Sequence, residues 1–204
     1  QMTLVTLGLG IAAALLAAAG DRIALAWGGF LFMMASIVDG CDGEIAKLTY
    51  TQTKRGEWLD TICDNLSYVF FIAGLSYGVL LREAGLPHFA QLAVLSGIAL
   101  YGLLAALGIM YFYLLRYTES GSLVTVYKDV GDDLKAEAPW ALKAIAKLRF
   151  TVKRDFFAVL FMVLCFADRP VWILALTAVA TNAIWAAVLI GRRQFGFARA
   201  VLKD

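Results

Sequence analysis

The sequence predicts an all-α, polytopic membrane protein with six transmembrane helices and one cytoplasmic amphipathic helix. Of its 204 residues, 61% are apolar and only 17% are charged, whereas soluble domains average about 45–50% and about 25%. The apolar residues form long blocks, several of which approach the roughly 20 residues that a helix needs to cross a bilayer. Because polar and apolar residues do not alternate within these blocks, a membrane β-barrel is disfavoured.

Six blocks are predicted to be spans, and most connections between them are short. The spans comprise residues 2–19, 23–46, 58–81, 89–115, 155–167 with flanking residues, and 171–190. Turn residues such as Gly20, Gly85 and Pro170 separate neighbouring spans, which favours antiparallel packing of consecutive helices. Residues 1–204 are therefore interpreted as a single transmembrane domain. Gln1 leads straight into the first span, so we expect further residues upstream of it.

The one long connection, residues 117–153, is predicted to contain a helix. Between residues 132 and 150, apolar residues such as Trp140 and Leu142 are interleaved with basic residues such as Lys143. This pattern is typical of an amphipathic helix on the membrane surface. It also fits a solvated connector helix that packs against the spans, and both interpretations stay open.

Basic residues are distributed asymmetrically across the predicted membrane. Six spans place both termini on one side, and most of the 18 Lys and Arg residues lie on that side. Cytoplasmic loops carry an excess of Lys and Arg, so we expect both termini and the long connection to face the cytoplasm from the plasma or inner membrane. The charges form no basic stripe, and no nucleic-acid partner is expected.

Four aspartates lie in the second and third spans, where an acid costs about 2.5–3.5 kcal/mol on insertion scales and commonly has a function. Asp39 and Asp42 fall within one arc of the second span. Asp60 and Asp64 are four residues apart and share one face of the third span. Since the two spans are predicted to be antiparallel neighbours, the four carboxylates are expected to converge near the cytoplasmic boundary.

Four carboxylates that face one another repel unless protonation or a cation relieves the repulsion. Oxygen ligands favour a hard cation such as Mg²⁺, Mn²⁺ or Ca²⁺, and two such ions shared by four carboxylates suit phosphoryl chemistry. A zinc site is not expected, because the three cysteines show no paired spacing and the chain has one His. Cys41 and Cys63 are interpreted as small residues that can be buried.

Small residues accompany the acids. Gly43 and Gly56 leave space beside the carboxylates, so that a bulky substrate can approach the backbone, and Ala46 does so more weakly. Alternatively, such residues mediate packing between membrane helices.

The order and spacing of these residues resemble the signature of the CDP-alcohol phosphotransferase (CDP-alcohol phosphatidyltransferase) family, D-x2-D-G-x2-A-R-x8-G-x3-D-x3-D. The matching residues are Asp39, Asp42, Gly43, Ala46, Gly56, Asp60 and Asp64. The one departure is Lys47 at the position of the family's Arg, which keeps a positive charge but offers no bidentate fork. The six-span layout also resembles this family.

The resemblance implies an enzyme that transfers a phosphoryl-alcohol group from a CDP-linked donor to a hydroxyl acceptor and releases CMP. It implies that Asp39, Asp42 and Asp60 bind a metal, Mg²⁺ or Mn²⁺, that contacts the donor diphosphate. Asp64 would complete this metal site and act as the general base. Thr3 matches the Thr of an Asn-x-x-Thr pattern in the family's first span. The residues implied at the nucleotide site are Thr3, Asp42, Gly43, Ala46, Lys47 and Gly56.

The substrates stay open at this level. Arg116, Arg154 and Arg193 lie at cytoplasmic span ends, where they either anchor the helices or bind a phosphate on the acceptor. The segments around Asp39 and Arg154 resemble the branch of di-myo-inositol phosphate phosphate synthases, which implies a polyol phosphate such as inositol phosphate as acceptor. The donor is CDP-diacylglycerol or another CDP-alcohol, in phospholipid or phosphodiester biosynthesis. The resemblance also implies a homodimer in contact with membrane lipid.

Three other functions compete with this interpretation. An intramembrane prenyltransferase also uses Asp-rich metal motifs, but it places them on distant spans, and nothing comparable recurs after Asp64. A Mg²⁺ channel or transporter would carry acids along a pore, and the remaining spans are nearly free of them. A binding scaffold without activity is disfavoured by the complete set of acids.

Overall fold

The computed structural model describes residues 2–48, 53–117 and 154–194, and this part of the chain is helical with no strand. Its six helices, in chain order, are α1 (Met2–Ala18), α2 (Arg22–Leu48), α3 (Lys54–Arg82), α4 (Phe89–Tyr117), α5 (Arg154–Phe166) and α6 (Pro170–Gln194). The all-α prediction is confirmed, and each predicted span corresponds to one helix. The amphipathic helix predicted at residues 132–150 lies outside the described residues.

Within the described residues, three helices are long and apolar enough to cross a membrane, which indicates an integral membrane protein. The qualifying stretches are Arg22–Asp42, Trp58–Arg82 and Phe89–Phe112. α1 has 17 residues and α5 has 13, which is short of a full crossing. For α1, α5 and α6, membrane spanning therefore stays a prediction.

The turn between α1 and α2 and the turn between α5 and α6 both depend on a left-handed residue. Gly20 has φ 72° and Asp168 has φ 56°, a region that glycine adopts freely and that Asp tolerates better than most residues. The Asp21 carboxylate then accepts hydrogen bonds at 3.0 and 3.2 Å from two backbone N–H groups that open α2. These contacts end one helix and begin the next over a few residues, as the turn signals predicted.

α1 packs closely against both α2 and α3. Gly74 and Gly78 of α3 lie against the backbone carbonyl groups of Ala14 and Ala17, so closely that an added Cβ would collide with each oxygen. The matching order of these contacts shows that α1 and α3 run in the same direction. Small residues four apart permit such close approach between membrane helices.

α2 runs in the opposite direction to α1. Its Gly28 lies against Ala13, near the end of α1, and its Asp42 contacts Thr3, near the start of α1. α2 is therefore antiparallel to α3 as well, as predicted. The two antiparallel helices nevertheless have almost no backbone contact with each other, because α1 packs on both.

Aromatic side chains fill the space where α2, α3 and α5 meet. Phe32 of α2 stacks on Phe71 of α3 with ring centroids 4.3 Å apart, and Phe161 of α5 lies 6.2 Å from Phe32. Tyr68 completes this aromatic cluster, 5.9 Å from Phe161. Phe71 and Phe161 are fully buried. Offset aromatic contacts of this kind add stabilisation beyond the buried area.

α4 and α6 form a second pair. The Asn182 side chain of α6 packs directly against Gly102 of α4 and donates a 3.3 Å hydrogen bond to the Ile98 carbonyl oxygen. The Trp185 indole N–H donates to the Asn182 side-chain oxygen at 2.9 Å. A glycine opposite an amide side chain thus allows a polar contact between two apolar helices.

Candidate active site

The four aspartates of the predicted site lie on two helices. Asp39 and Asp42 lie in the second half of α2, and Asp60 and Asp64 lie in the first half of α3. All four residues are half-buried. Part of each side chain therefore stays accessible to a bound molecule.

The aromatic cluster shows which faces of α2 and α3 point towards each other. Asp39 follows Phe32 by seven residues, and Asp64 precedes Phe71 by seven. Residues seven apart lie on nearly the same face of an α-helix. Because Phe32 stacks on Phe71, Asp39 and Asp64 lie on facing sides of the two helices, about 10 Å along the axes from the cluster.

A gap separates the backbones of α2 and α3 in the described part of the two helices. Aromatic side chains occupy this gap deeper in the bundle, and the helix backbones stay apart along their length. The positions of Asp39 and Asp64 on these helices are consistent with the predicted facing of the acids, which stays a prediction.

The first helix contributes a polar contact to this end of the bundle. The Thr3 hydroxyl of α1 donates a hydrogen bond to the Asp42 carboxylate over 3.3 Å. These residues are 39 positions apart in the chain, and they meet because α1 runs antiparallel to α2. The structure thus brings Thr3, predicted from the family pattern, next to one of the predicted acids.

The chemistry of the donor set fits a hard divalent cation, because all four side chains offer carboxylate oxygens. Among the residues that the structure describes, however, no three Asp, Glu, His or Cys side chains lie close enough together to hold a metal ion. The helix positions and the residue types fit the predicted metal, whereas the side chains do not converge as predicted.

Gly56 lies one turn before Asp60, at the start of α3. Its backbone N–H donates to the Thr53 hydroxyl at 3.0 Å, which caps the helix. Gly56 is exposed, and the only atom that an added Cβ would meet within 4 Å is that hydroxyl oxygen. The approach of a substrate to the backbone at Gly56 stays a prediction.

The remaining predicted residues have described backbones only. Gly43, Ala46 and Lys47 continue α2 beyond Asp42, and their side chains lie outside the described part. The same holds for the three basic residues at helix ends. These are Arg116 in the last turn of α4, Arg154 at the start of α5 and Arg193 near the end of α6.

Sequence reasoning missed a polar cluster beside the acids. The Asn65 amide of α3 donates to the Thr61 carbonyl oxygen at 2.7 Å and to the Tyr111 hydroxyl of α4 at 3.0 Å. The Tyr111 hydroxyl donates in turn to the Thr61 carbonyl oxygen at 3.2 Å, and its ring stacks on Trp58 with centroids 6.4 Å apart. An Asn directly after Asp64 inside a span was the available signal.

An apolar groove lies beside the acids, between α2 and α5. It encloses about 390 Å³, and its lining includes Ser36, Gly40 and Cys41 of α2 and Val159 of α5. Cys41 is exposed, contrary to the prediction that it is a buried small residue, whereas Cys63 is buried as predicted. Neither thiol is paired in a disulfide.

The fold and the site define a class of protein: an integral membrane protein with carboxylates on facing sides of two antiparallel helices. The sequence profile of the CDP-alcohol phosphatidyltransferase family matches residues 1–128, more than half of the chain. The chain belongs to this family and is classed as a CDP-alcohol phosphotransferase. The family is generally dependent on a divalent metal, and the resemblance based on the aspartate signature is confirmed.

Several relatives of this chain are named bifunctional IPC transferase and DIPP synthase. The relative from Rubrobacter xylanophilus is 39% identical over 93 residues, which cover 46% of this chain and 21% of the relative. The relative from Thermococcus kodakarensis is 38% identical over 80 residues, 39% of this chain and 18% of the relative. The relative from Archaeoglobus fulgidus is 41% identical over 73 residues, which cover 36% of this chain and 14% of the relative. The match thus spans about a fifth or less of each relative.

Proposed function

We propose that this chain transfers a phosphoryl-alcohol group from a CDP-linked donor to a hydroxyl acceptor and releases CMP, with a divalent cation bound by the aspartates. The observation that supports the proposal is the placement of Asp39 and Asp64 on the sides of α2 and α3 that the Phe32–Phe71 stack turns towards each other. Membership of the CDP-alcohol phosphatidyltransferase family supports the reaction class over a prenyltransferase or a Mg²⁺ transporter.

In the proposed reaction, Asp64 accepts the proton of the acceptor hydroxyl. The acceptor oxygen forms a bond to the phosphorus atom that carries the alcohol, and the bond from that phosphorus to the CMP oxygen breaks. A carboxylate positioned within hydrogen-bond reach supports this step as a general base. Its half-buried position limits water access without removing the carboxylate from solvent.

Asp39, Asp42 and Asp60 are the residues proposed to hold the cation, with Asp64 as a further ligand. A bound Mg²⁺ or Mn²⁺ ion, or a pair of them, would offset negative charge on the diphosphate. The Thr3 hydroxyl orients the Asp42 carboxylate through the hydrogen bond between them. Gly43, Ala46, Lys47 and Gly56 are proposed to line the nucleotide site with Thr3 and Asp42.

The acceptor is proposed to be anionic, such as inositol phosphate. The relatives' name, bifunctional IPC transferase and DIPP synthase, supports a polyol phosphate, and Arg116, Arg154 and Arg193 are proposed to bind its phosphate. Reversing the charge with Arg154→Glu or Arg193→Glu should raise the acceptor KM more than the donor KM. Equal changes in both constants would contradict a role at the acceptor.

The donor is proposed to be either a CDP-polyol or CDP-diacylglycerol. The relatives' name favours the first, and the apolar groove between α2 and α5 offers a surface for the alkyl chain of the second. We further propose that residues 1–204 form a single catalytic domain, that the termini and the site face the cytoplasm, and that the chain acts as a homodimer among membrane lipids.

The decisive experiment measures CMP release by purified protein in lipid nanodiscs. The reaction contains Mg²⁺ or Mn²⁺, one donor from a panel of CDP-alcohols that includes CDP-diacylglycerol and CDP-inositol, and one acceptor from a panel that includes inositol phosphate. We expect CMP from at least one donor and acceptor pair, and from no donor without its acceptor. Chelation with EDTA should stop the release, and added Mg²⁺ should restore it.

Folding is checked in the same samples by thermal unfolding and gel filtration. Folded protein that releases no CMP with any pair would overturn the proposed reaction. CMP release that persists in EDTA would instead overturn only the metal dependence.

A further inference from the structure

We propose that Tyr111 of α4 is a positioning residue, which holds the turn of α3 that carries Asp60 and Asp64 in the geometry needed to bind a divalent cation. The inference rests on the proposed function, because it assigns Tyr111 to the site formed by those two aspartates. Tyr111 acts through its hydrogen bonds with Thr61 and Asn65.

The three groups close a hydrogen-bonded triangle between two helices. Asn65 donates to the Thr61 carbonyl oxygen at 2.7 Å and to the Tyr111 hydroxyl at 3.0 Å, and that hydroxyl donates to the same carbonyl oxygen at 3.2 Å. Thr61 directly follows Asp60, and Asn65 directly follows Asp64. The triangle therefore fixes the same helical turn that separates the two acids.

The separation of Asp60 and Asp64 depends on this turn. In an α-helix, residues four apart are separated by about 6 Å along the axis and share a face. The carboxylates of Asp60 and Asp64 can therefore reach one ion only while this turn keeps its helical geometry. Repulsion between the carboxylates acts to spread them apart. A bridge from a second helix opposes that spreading, since it holds the backbone at one end of the turn and a side chain at the other.

The packing of α4 on α3 is limited, so a specific contact such as that of Tyr111 is needed to hold the two helices together here. α1 packs along α3 much more extensively than α4 does. The Tyr111 ring also stacks on Trp58, one turn before Thr61. The ring and the hydroxyl thus contact successive turns of α3, and both residues are half-buried. Removing the hydroxyl alone leaves the stacking in place and tests the hydrogen bonds by themselves.

The test compares Tyr111→Phe with Tyr101→Phe. Tyr101 lies on the same helix, is 66% exposed and is far from the acids in sequence, which makes it a matched control. The main measurement is equilibrium Mn²⁺ binding in nanodiscs, with free Mn²⁺ measured by electron paramagnetic resonance. CMP release and thermal unfolding are measured on the same samples.

Groups that orient metal ligands typically change metal affinity by 10–100-fold when they are mutated. We expect Tyr111→Phe to raise the Kd for Mn²⁺ by about tenfold, at the lower end of that range because Asn65 still bonds to Thr61. Tyr101→Phe should leave the Kd unchanged. Asn65→Ala, which removes the bridge from the side of α3, should raise the Kd at least as much. If Tyr111→Phe does not fold, the Kd of Asn65→Ala for Mn²⁺ tests the inference in its place.

Two results would overturn the inference. One is an unchanged Kd in folded Tyr111→Phe or Asn65→Ala protein while wild-type protein binds Mn²⁺. The other is a lower unfolding temperature with no change in Kd, which would indicate a purely structural contact. Absence of Mn²⁺ binding in wild-type protein would instead contradict the proposed metal site, and with it the inference, so the two failures are distinguishable.

Discussion

At the scale of single residues, this chain places four carboxylates where each costs about 2.5–3.5 kcal/mol on insertion scales. All four are half-buried in the described structure. Facing another acid across a gap adds repulsion, which favours a cation between them. Residue type and position together therefore distinguish these aspartates from the apolar residues that surround them.

Asp64→Asn should remove the proposed general base while it keeps the size of the side chain. We expect CMP release to fall by about 10²–10⁴-fold, the usual contribution of general acid–base catalysis, with little loss of nucleotide binding. The measurements are kcat for CMP release and the Kd for CMP. Asp21→Asn is the matched control, because Asn caps a helix about as well as Asp and Asp21 lies at the opposite end of α2. Equal loss in both variants would contradict the assignment.

Thr3→Val should test the hydrogen bond to Asp42. Valine keeps the shape of threonine and removes the donor. Bonds to charged groups are worth about 1.5–3 kcal/mol, and at 3.3 Å we expect the lower end, so the donor KM should rise by about tenfold. Thr3→Ser should retain most of the affinity. An unchanged donor KM in the Thr3→Val variant would show that Thr3 does not contribute to the nucleotide site.

At the scale of helices, the backbones of α1 and α3 approach each other closely. Gly74 and Gly78 allow it, and α1 in turn carries Thr3 to Asp42. The sequence contains the signal, two glycines four apart in an apolar segment. It gives no indication of the partner helix, because several spans expose small residues at helical spacing.

Gly78→Ala should disrupt this contact. A methyl group there meets the Ala17 carbonyl oxygen, and overpacking of this kind typically costs about 1–3 kcal/mol. Gly97→Ala on α4 is the matched control, since an added Cβ meets nothing within 4 Å there and alanine restricts the unfolded chain. We expect thermal unfolding in detergent to show a lower midpoint for the first variant only. Equal unfolding midpoints for the two variants would show that α1 can move away from the added methyl group without loss of stability.

At the scale of the whole molecule, an ion pair joins the ends of three helices on the side away from the aspartates. Arg82, the last residue of α3, donates two hydrogen bonds to Asp168 in the turn between α5 and α6, one of them at 2.9 Å. The Arg82 guanidinium holds the pKa of the Asp168 carboxyl below its usual value. This contact connects the first half of the chain to the second.

The pair makes stability depend on pH. Because the pKa of Asp168 is lower in the folded state, its contribution is fully present above the unfolded pKa, about 4, and is lost as pH falls through the lower folded value. Asp168→Asn, which tolerates positive φ, should lower the unfolding midpoint slightly at pH 7, since exposed pairs contribute little. The difference from wild type should shrink below about pH 4. A difference that stays constant with pH would exclude the ion pair as its cause.

Much of the fold follows from local patterns. The apolar blocks predicted each helix because a helix that leaves water must satisfy its own backbone groups. Gly20 and Gly85 marked turns, and both have positive φ, a conformation that few residues other than glycine adopt. The spacing of the aspartates predicted which of them share a face, since that depends only on helical periodicity.

The sequence by itself determined the helices, the acidic faces of α2 and α3, and the family to which those faces belong. Only the tertiary structure decided that α1 packs on both acidic helices, that Phe32 and Phe71 hold them at a distance, and that Tyr111 reaches Thr61 and Asn65 from α4. Periodicity is a property of neighbouring residues, so one chain segment reveals it. Contacts between segments depend on side-chain shapes that must fit together, and no single segment contains both partners.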